Sequence, residues 1–206
     1  QAPFIADCEG RDDDASVVVM ALPLRQDRPV TYEDLVGLPD HVVGEILAGE
    51  LHVSPRPAMR HSRAEARVAA RLSSPFDDGV GGPGGWLFAV EPELHFARDV
   101  LVPDVAGWRR ERLPEIPDVP FMTLAPDWVC EILAPSTERI DRVKKLPIYA
   151  RERVGHVWLL DPIAKTVEAF ALDGDGWRLA GAYGEGTPAR IVPFDAVEFD
   201  PAQFWS

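Results

Sequence analysis

Three acidic residues stand inside apolar runs where a solvated carboxylate would be out of place. Glu45 lies in Val42-Val43-Gly44-Glu45-Ile46-Leu47, Asp104 in Val100-Leu101-Val102-Pro103-Asp104-Val105-Ala106, and Glu131 in Asp127-Trp128-Val129-Cys130-Glu131-Ile132-Leu133. A carboxylate on a buried strand is costly unless it is paired or binds a cation. Each acid alone reads more simply as an edge-facing or salt-bridged group. Together they could serve a hard divalent cation such as Mg²⁺, which binds one or two carboxylates and keeps several waters. Such a cation neutralises phosphate charge and lowers the pKa of a bound water, which becomes a nucleophile toward a phosphodiester.

The elements that must position these acids can be read along the chain. Thr31 with Asp34 resembles a capping box, and Tyr32 to Leu38 reads as a short helix stopped by Pro39. His41 to Leu47 and Leu51 to Ser54 flank Ala48-Gly49-Glu50 as a β-hairpin. His61 to Leu72 reads as a helix left at Ser73-Ser74-Pro75, with Arg60, Arg63, Arg67 and Arg71 on one side. His61, at its start, is either a cap or an acid/base or substrate-side group. Strands are expected at Trp86 to Val90, Glu93 to Phe96, Val100 to Ala106 and Asp127 to Leu133, with a proline-rich connection over Arg109 to Pro126. A helix from about Glu138 to Arg153 leads to a strand at His156 to Leu160, which Asp161-Pro162 ends. Thr166 to Leu172 and Trp177 to Tyr183 complete a meander through the turn Asp173-Gly174-Asp175-Gly176. This order predicts an α/β (α+β) fold around a central mixed sheet flanked by helices, with an N-terminal hairpin and a C-terminal β-meander.

The chain has 206 residues, enough for one domain, and 46% hydrophobic with 27% charged residues is ordinary for a globular protein. Residues 1–28 carry six acids and no sustained period, so they read as a loosely attached arm before a single domain over 29–206. Two cysteines, Cys8 and Cys130, make neither a disulfide framework nor a zinc knuckle, and Cys130 reads as a core thiol. No stretch reaches the roughly 18 apolar residues of a membrane span, so a cytoplasmic protein with no membrane partner is expected. A net charge of −13 argues at first against a nucleic-acid partner. Its distribution reverses that: Arg56 to Arg71 holds five bases and one acid, and Arg139 to Arg153 six bases and two acids. Two +4 segments beside embedded carboxylates suit a phosphate backbone, although two solvated helix faces would look the same.

Pro103-Asp104 followed by Glu131-Ile132-Leu133 resembles the PD-(D/E)XK pattern of the restriction-endonuclease-like superfamily. The ordered set extends further, through Ala134-Pro135-Ser136-Thr137, Asp141-Arg142, Lys145-Leu146-Pro147-Ile148-Tyr149-Ala150 and Val157-Trp158-Leu159-Leu160-Asp161-Pro162, with Gly44-Glu45-Ile46-Leu47 and His61 ahead of it. That set is similar to a bacterial family of putative restriction endonucleases, long labelled a domain of unknown function and numerous in cyanobacteria. The chain departs from the commoner pattern at Leu133, where a lysine would stand on the same strand face as the acid. The resemblance implies that the lysine has moved to the following helix, as Lys145 with Lys144 beside it. The plain alternative for Lys145 is an i,i+4 pair with Asp141, worth about 0.3 to 0.5 kcal/mol.

On that resemblance the chain is expected to be an endonuclease that hydrolyses double-stranded DNA, with Mg²⁺ or Mn²⁺ and no organic cofactor. Asp104 and Glu131 would hold the metal, Glu45 would add a third carboxylate, and Lys145 would orient the attacking water. His61, Arg60, Arg63, Arg67 and Lys144 are the candidate substrate contacts, and a homodimer would let both strands be cut. Two rivals stay open: a nucleic-acid- or partner-binding module that has lost catalysis, kept in view by Leu133, and a hydrolase of another phosphate ester.

Overall fold

The computed structural model describes residues 28–206, so the arm expected over residues 1–28, with Cys8, lies outside the described residues except for Arg28. Helix α1 (Tyr32–Val36) is entered through Thr31, whose backbone N–H donates to the Asp34 carboxylate at 2.9 Å, as the capping-box spacing predicts. Strands β1 (Val42–Leu47) and β2 (Glu50–Pro55) follow as an antiparallel hairpin. Its two-residue turn puts Ala48 at φ 56° and Gly49 at φ 81°, the left-handed pair that suits the twist of such hairpins.

Helix α2 (Met59–Leu72) does not end at Ser73 as expected but widens into a π turn over Ser73–Asp77 that carries Pro75. Strands β3 (Trp86–Val90), β4 (Leu94–Phe96), β5 (Asp99–Leu101) and β6 (Val105–Arg109) come next. Here the expectation of one strand over Val100 to Ala106 is corrected. β5 and β6 belong to different sheets, and Val102, Pro103 and Asp104 make the crossing between them. Proline cannot donate to a strand ladder, which is why the run breaks where it does.

Strand β7 (Trp128–Ile132) leads through α3 (Glu138–Ile140), a π turn (Asp141–Lys145) and α4 (Leu146–Arg151) to β8 (His156–Asp161), which runs parallel to β7. The expected single helix is therefore interrupted at its middle: the Leu146 N–H donates to the Asp141 carbonyl, five residues back. β9 (Thr166–Asp173) and β10 (Gly176–Gly184) form the meander, and a 3₁₀ turn (Pro201–Phe204) closes the fold. One sheet has the order β2-β1-β5-β4; the other, mixed, has the order β10-β9-β8-β7-β6-β3.

Side-chain alternation along β7 sends its residues into two cores. Trp128, Cys130 and Ile132 pack with Ala64, Val68 and Leu72 of α2 and with Trp158, Phe194 and Phe204. Val129 and Leu133 face the other way, against Leu47, Leu101, Ile148, Tyr149 and Val157. Glu131 lies between Val129 and Leu133 on that second face, beneath the interrupted helix. Cys130 is fully buried in the first core, where burial pushes its thiol well above the ordinary range. Among the described residues no helix is long and apolar enough to cross a membrane.

Candidate active site

The second face of β7 meets the π turn at Glu131. Its carboxyl group is 2% exposed; Oε1 accepts from the Tyr149 hydroxyl at 2.5 Å and Oε2 lies 3.3 Å from Lys145 Nζ. Lys145 Nζ also lies 3.0 Å from Glu45 Oε1 and 3.3 Å from Asp141 Oδ1, so one ammonium faces three carboxylates. The second sheet supplies Glu45, whose Oε1 accepts from the Val102 N–H at 2.8 Å. That bond ties β1 to the inter-sheet crossing that carries Asp104.

Asp104 closes the opposite wall. Oδ2 accepts from the Ile132 N–H at 2.6 Å, and Oδ1 lies 3.3 Å from His61 Nε2 on the first turn of α2. Glu45, His61, Asp104, Glu131, Asp141 and Lys145 all line one cavity of about 60 Å³. It shares Val43, Glu91 and Val102 with a larger groove of about 380 Å³ beneath α1.

Burial dominates the electrostatics. It pushes Glu131 well above the usual carboxylate range and raises Glu45 and Asp141, while the nearby ammonium pulls all three back. Burial pulls the Lys145 ammonium down, but Glu131, Glu45 and Asp141 together outweigh it and leave the amine well above its ordinary value. The His61 imidazole is likewise lowered by burial and then raised on balance by its hydrogen bond to Asp104. One helical turn on, Glu65 is 7% exposed, and its Oε1 has no hydrogen-bond partner. Burial, reinforced by Asp104 and Glu91, pushes its carboxyl up to about 7.

The structure thus brings together Glu45, His61, Asp104, Glu131 and Lys145, which the sequence singled out from three separate regions. It also adds Asp141, Tyr149 and Glu65, which were not among the candidates. Asp141 had a signal in its i,i+4 spacing to Lys145, whereas a tyrosine in an apolar helix gives no sign that its hydroxyl meets a strand acid. The expected backbone contacts lie elsewhere. Arg63 Nη2 donates to the Ser206 carbonyl at 3.2 Å, and Arg67 Nε donates to the Gln203 carbonyl at 3.1 Å, so these two arginines tie α2 to the last residues of the chain. Arg60 is exposed on the same helix, and Lys144 Nζ lies 3.1 Å from Glu50 Oε2 on the hairpin.

The side chains fit a divalent cation in charge. Glu45, Asp104, Glu131 and Asp141 share the cavity with one lysine and one histidine, an excess of buried negative charge that a cation would relieve. Among the described residues no group of three His, Cys, Asp or Glu side chains is arranged as a ready-made metal cage. Asp104 and Glu131 could at most offer two carboxylates to an ion that keeps its waters.

A family model described as "Uma2: Putative restriction endonuclease" matches residues 30–199. Four solved chains match the fold. One is a putative nuclease belonging to DUF820 from Anabaena variabilis, with TM-score 0.70 and 20% identity, covering 86% of this chain and 98% of that one. None of the curated proteins matches the chain.

Proposed function

The chain belongs to the Uma2 family of putative restriction endonucleases, and from that premise we propose that it is a divalent-cation-dependent endonuclease that hydrolyses phosphodiester bonds of DNA. One observation carries this reading: Lys145, delivered from a helix, lies 3.3 Å from Glu131 in a chain whose Leu133 leaves the usual strand lysine missing. An ammonium there can hold a water or meet charge developing on a phosphate, and inside a protein such preorganised charge is worth far more than in water. Asp104 and Glu131 would hold Mg²⁺ or Mn²⁺, which when bound supplies a Lewis acid for the phosphate and a lowered pKa for water. Glu45 and Asp141 keep Lys145 charged and aimed at the cavity. His61, whose Nε2 lies 3.3 Å from Asp104 Oδ1, would be the substrate-side group on the α2 wall of the cavity. Residues 29–206 form the proposed nuclease domain, and a homodimer would present two sites to the two strands of a duplex.

A second reading, a binding module without catalysis, is favoured by the capture of both Glu131 oxygens by Tyr149 and Lys145. Cleavage decides between them. Supercoiled plasmid and single-stranded DNA are incubated with Mg²⁺ or Mn²⁺ and the unaltered protein, Glu131→Gln or Lys145→Met. Loss of cutting by about 100-fold or more in both variants is expected. Cutting that survives both substitutions, or no cutting by the unaltered protein with either metal, overturns the nuclease reading.

A further inference from the structure

We propose that Tyr149 is a positioning residue of this site: its hydroxyl holds Glu131 Oε1, so that Glu131 offers a cation the single oxygen Oε2, which biases the site toward small, octahedrally bound ions. The inference rests on the reading above that Glu131 binds a divalent cation. Tyr149 is fully buried in α4, its ring packed among Val129, Leu133 and Val157, which leaves the hydroxyl little freedom to turn away. Glu131 Oε1, at 2.5 Å, is its hydrogen-bond partner among the described residues.

The two oxygens of Glu131 are therefore not equivalent. Lys145 can release Oε2 and still keep Glu45 at 3.0 Å and Asp141 at 3.3 Å. Tyr149 makes no other side-chain hydrogen bond among the described residues, so Oε1 stays occupied when a cation arrives. A carboxylate that can present one oxygen suits Mg²⁺, which demands near-ideal octahedral geometry. It disfavours Ca²⁺, which takes more oxygens and readily accepts a carboxylate bidentately.

The test is a comparison of cation affinities in the full chain. Mn²⁺ binding is followed by electron paramagnetic resonance, and Mg²⁺ and Ca²⁺ are measured by its displacement, for the unaltered protein and Tyr149→Phe. The expected result is that Mg²⁺ affinity falls about tenfold or more in the variant, as for other supports of metal ligands, while Ca²⁺ affinity holds or rises. A Ca²⁺-to-Mg²⁺ ratio equal in the two proteins overturns the inference, because a merely structural tyrosine would change stability and leave that ratio alone. An unaltered protein that binds Mn²⁺ with an unchanged ratio in the variant sinks this inference alone; one that binds no Mn²⁺ sinks it together with the metal-dependent reading. Should Tyr149→Phe not fold, the hydroxyl proton of Tyr149, buried and hydrogen-bonded, is followed by proton NMR in the unaltered protein. Its resonance persists on adding Mg²⁺ if Oε1 stays held, and its disappearance overturns the inference.

Discussion

Lys145 faces three carboxylates with one charge, and that imbalance governs what substitutions here do. Removing one partner of a buried ionic group costs about 3 to 5 kcal/mol, because the remaining charge is left uncompensated. Lys145→Met is expected to lose about that much at pH 7 in a urea titration, and to recover part of it in acid. The sign follows from the carboxyls: burial raises Glu131, Glu45 and Asp141 in the folded state, so the folded protein takes up protons first and gains on the unfolded chain as pH falls. Glu65 obeys the same rule with a value attached. A carboxyl raised from 4.5 to about 7 contributes its full stability below about pH 4.5 and loses it as pH rises through 7. Glu65→Gln is therefore expected to stabilise the protein by about 2 kcal/mol at pH 8 and to flatten the stability profile between about pH 4.5 and 7. Thermal denaturation across that range measures both. The site acids Glu45, Asp104 and Glu131 were legible in the sequence because each interrupts an apolar run. Tyr149 and Glu65 were not, since an aromatic in an apolar helix and an acid on an arginine-rich helix look ordinary until the partner surfaces are known.

At the level of elements, the π turn Asp141–Lys145 and the crossing Val102–Asp104 decide where the charges go, and both were missed. A helix with one extra residue in a turn has the same composition as a regular helix, so periodicity over Glu138 to Arg153 could not reveal it. The apolar run Val100 to Ala106 reads as continuous because hydrophobicity reports burial, and β5 and β6 are both buried in different sheets. The hairpin and the meander were legible, since their turns need particular residues. Gly44 offers a test of how much α1 matters to the site. A Cβ there would lie 2.2 Å from Leu38 Cδ1 and 2.8 Å from Leu35 Cδ2, so the tips of both leucine side chains must shift. Gly44→Ala is expected to cost about 1 kcal/mol or less in urea unfolding, the low end of overpacking, because flexible side-chain ends beside a groove can move aside. Strand alternation points Glu45 the opposite way, so the rate of DNA cleavage should hold; a fall matching that of Lys145→Met would show that α1 helps to build the site.

Across the whole molecule, the charge of −13 resolves into pairs rather than into a basic face. In the segment Arg139 to Arg153, Arg142 pairs with Glu168, Lys144 with Glu50, Arg151 with Asp99 and Arg153 with Asp175, while Lys145 is buried among acids. Arg63 and Arg67 hold the C-terminal residues. Arg56 donates to the Asp40 carbonyl, so among the described residues of these two segments Arg60, Arg71 and Arg139 are the bases that make neither an ion pair nor a side-chain hydrogen bond. Three phosphate contacts would give log affinity a slope against log salt of only about −3. Fluorescence anisotropy on duplex DNA over a range of salt is expected to return that shallow slope, and a slope near −8 would point to a basic face elsewhere. Sequence segments could be ranked by net charge, but not by which charges the fold had already used. The crossing at Val102, Pro103 and Asp104 bears on movement. Three residues of fully extended chain span at most about 10 Å, and Pro103 fixes one of their torsions. With Val102 bonded to Glu45 and Asp104 bonded to Ile132, the two sheets are leashed at the floor of the cavity. They cannot slide apart to admit a bulky strand. Any opening of the cavity would then have to be a tilt about this crossing, like a book on its spine, and the exposed Lys144–Glu50 pair at the tip of the hairpin is the clasp it would have to break.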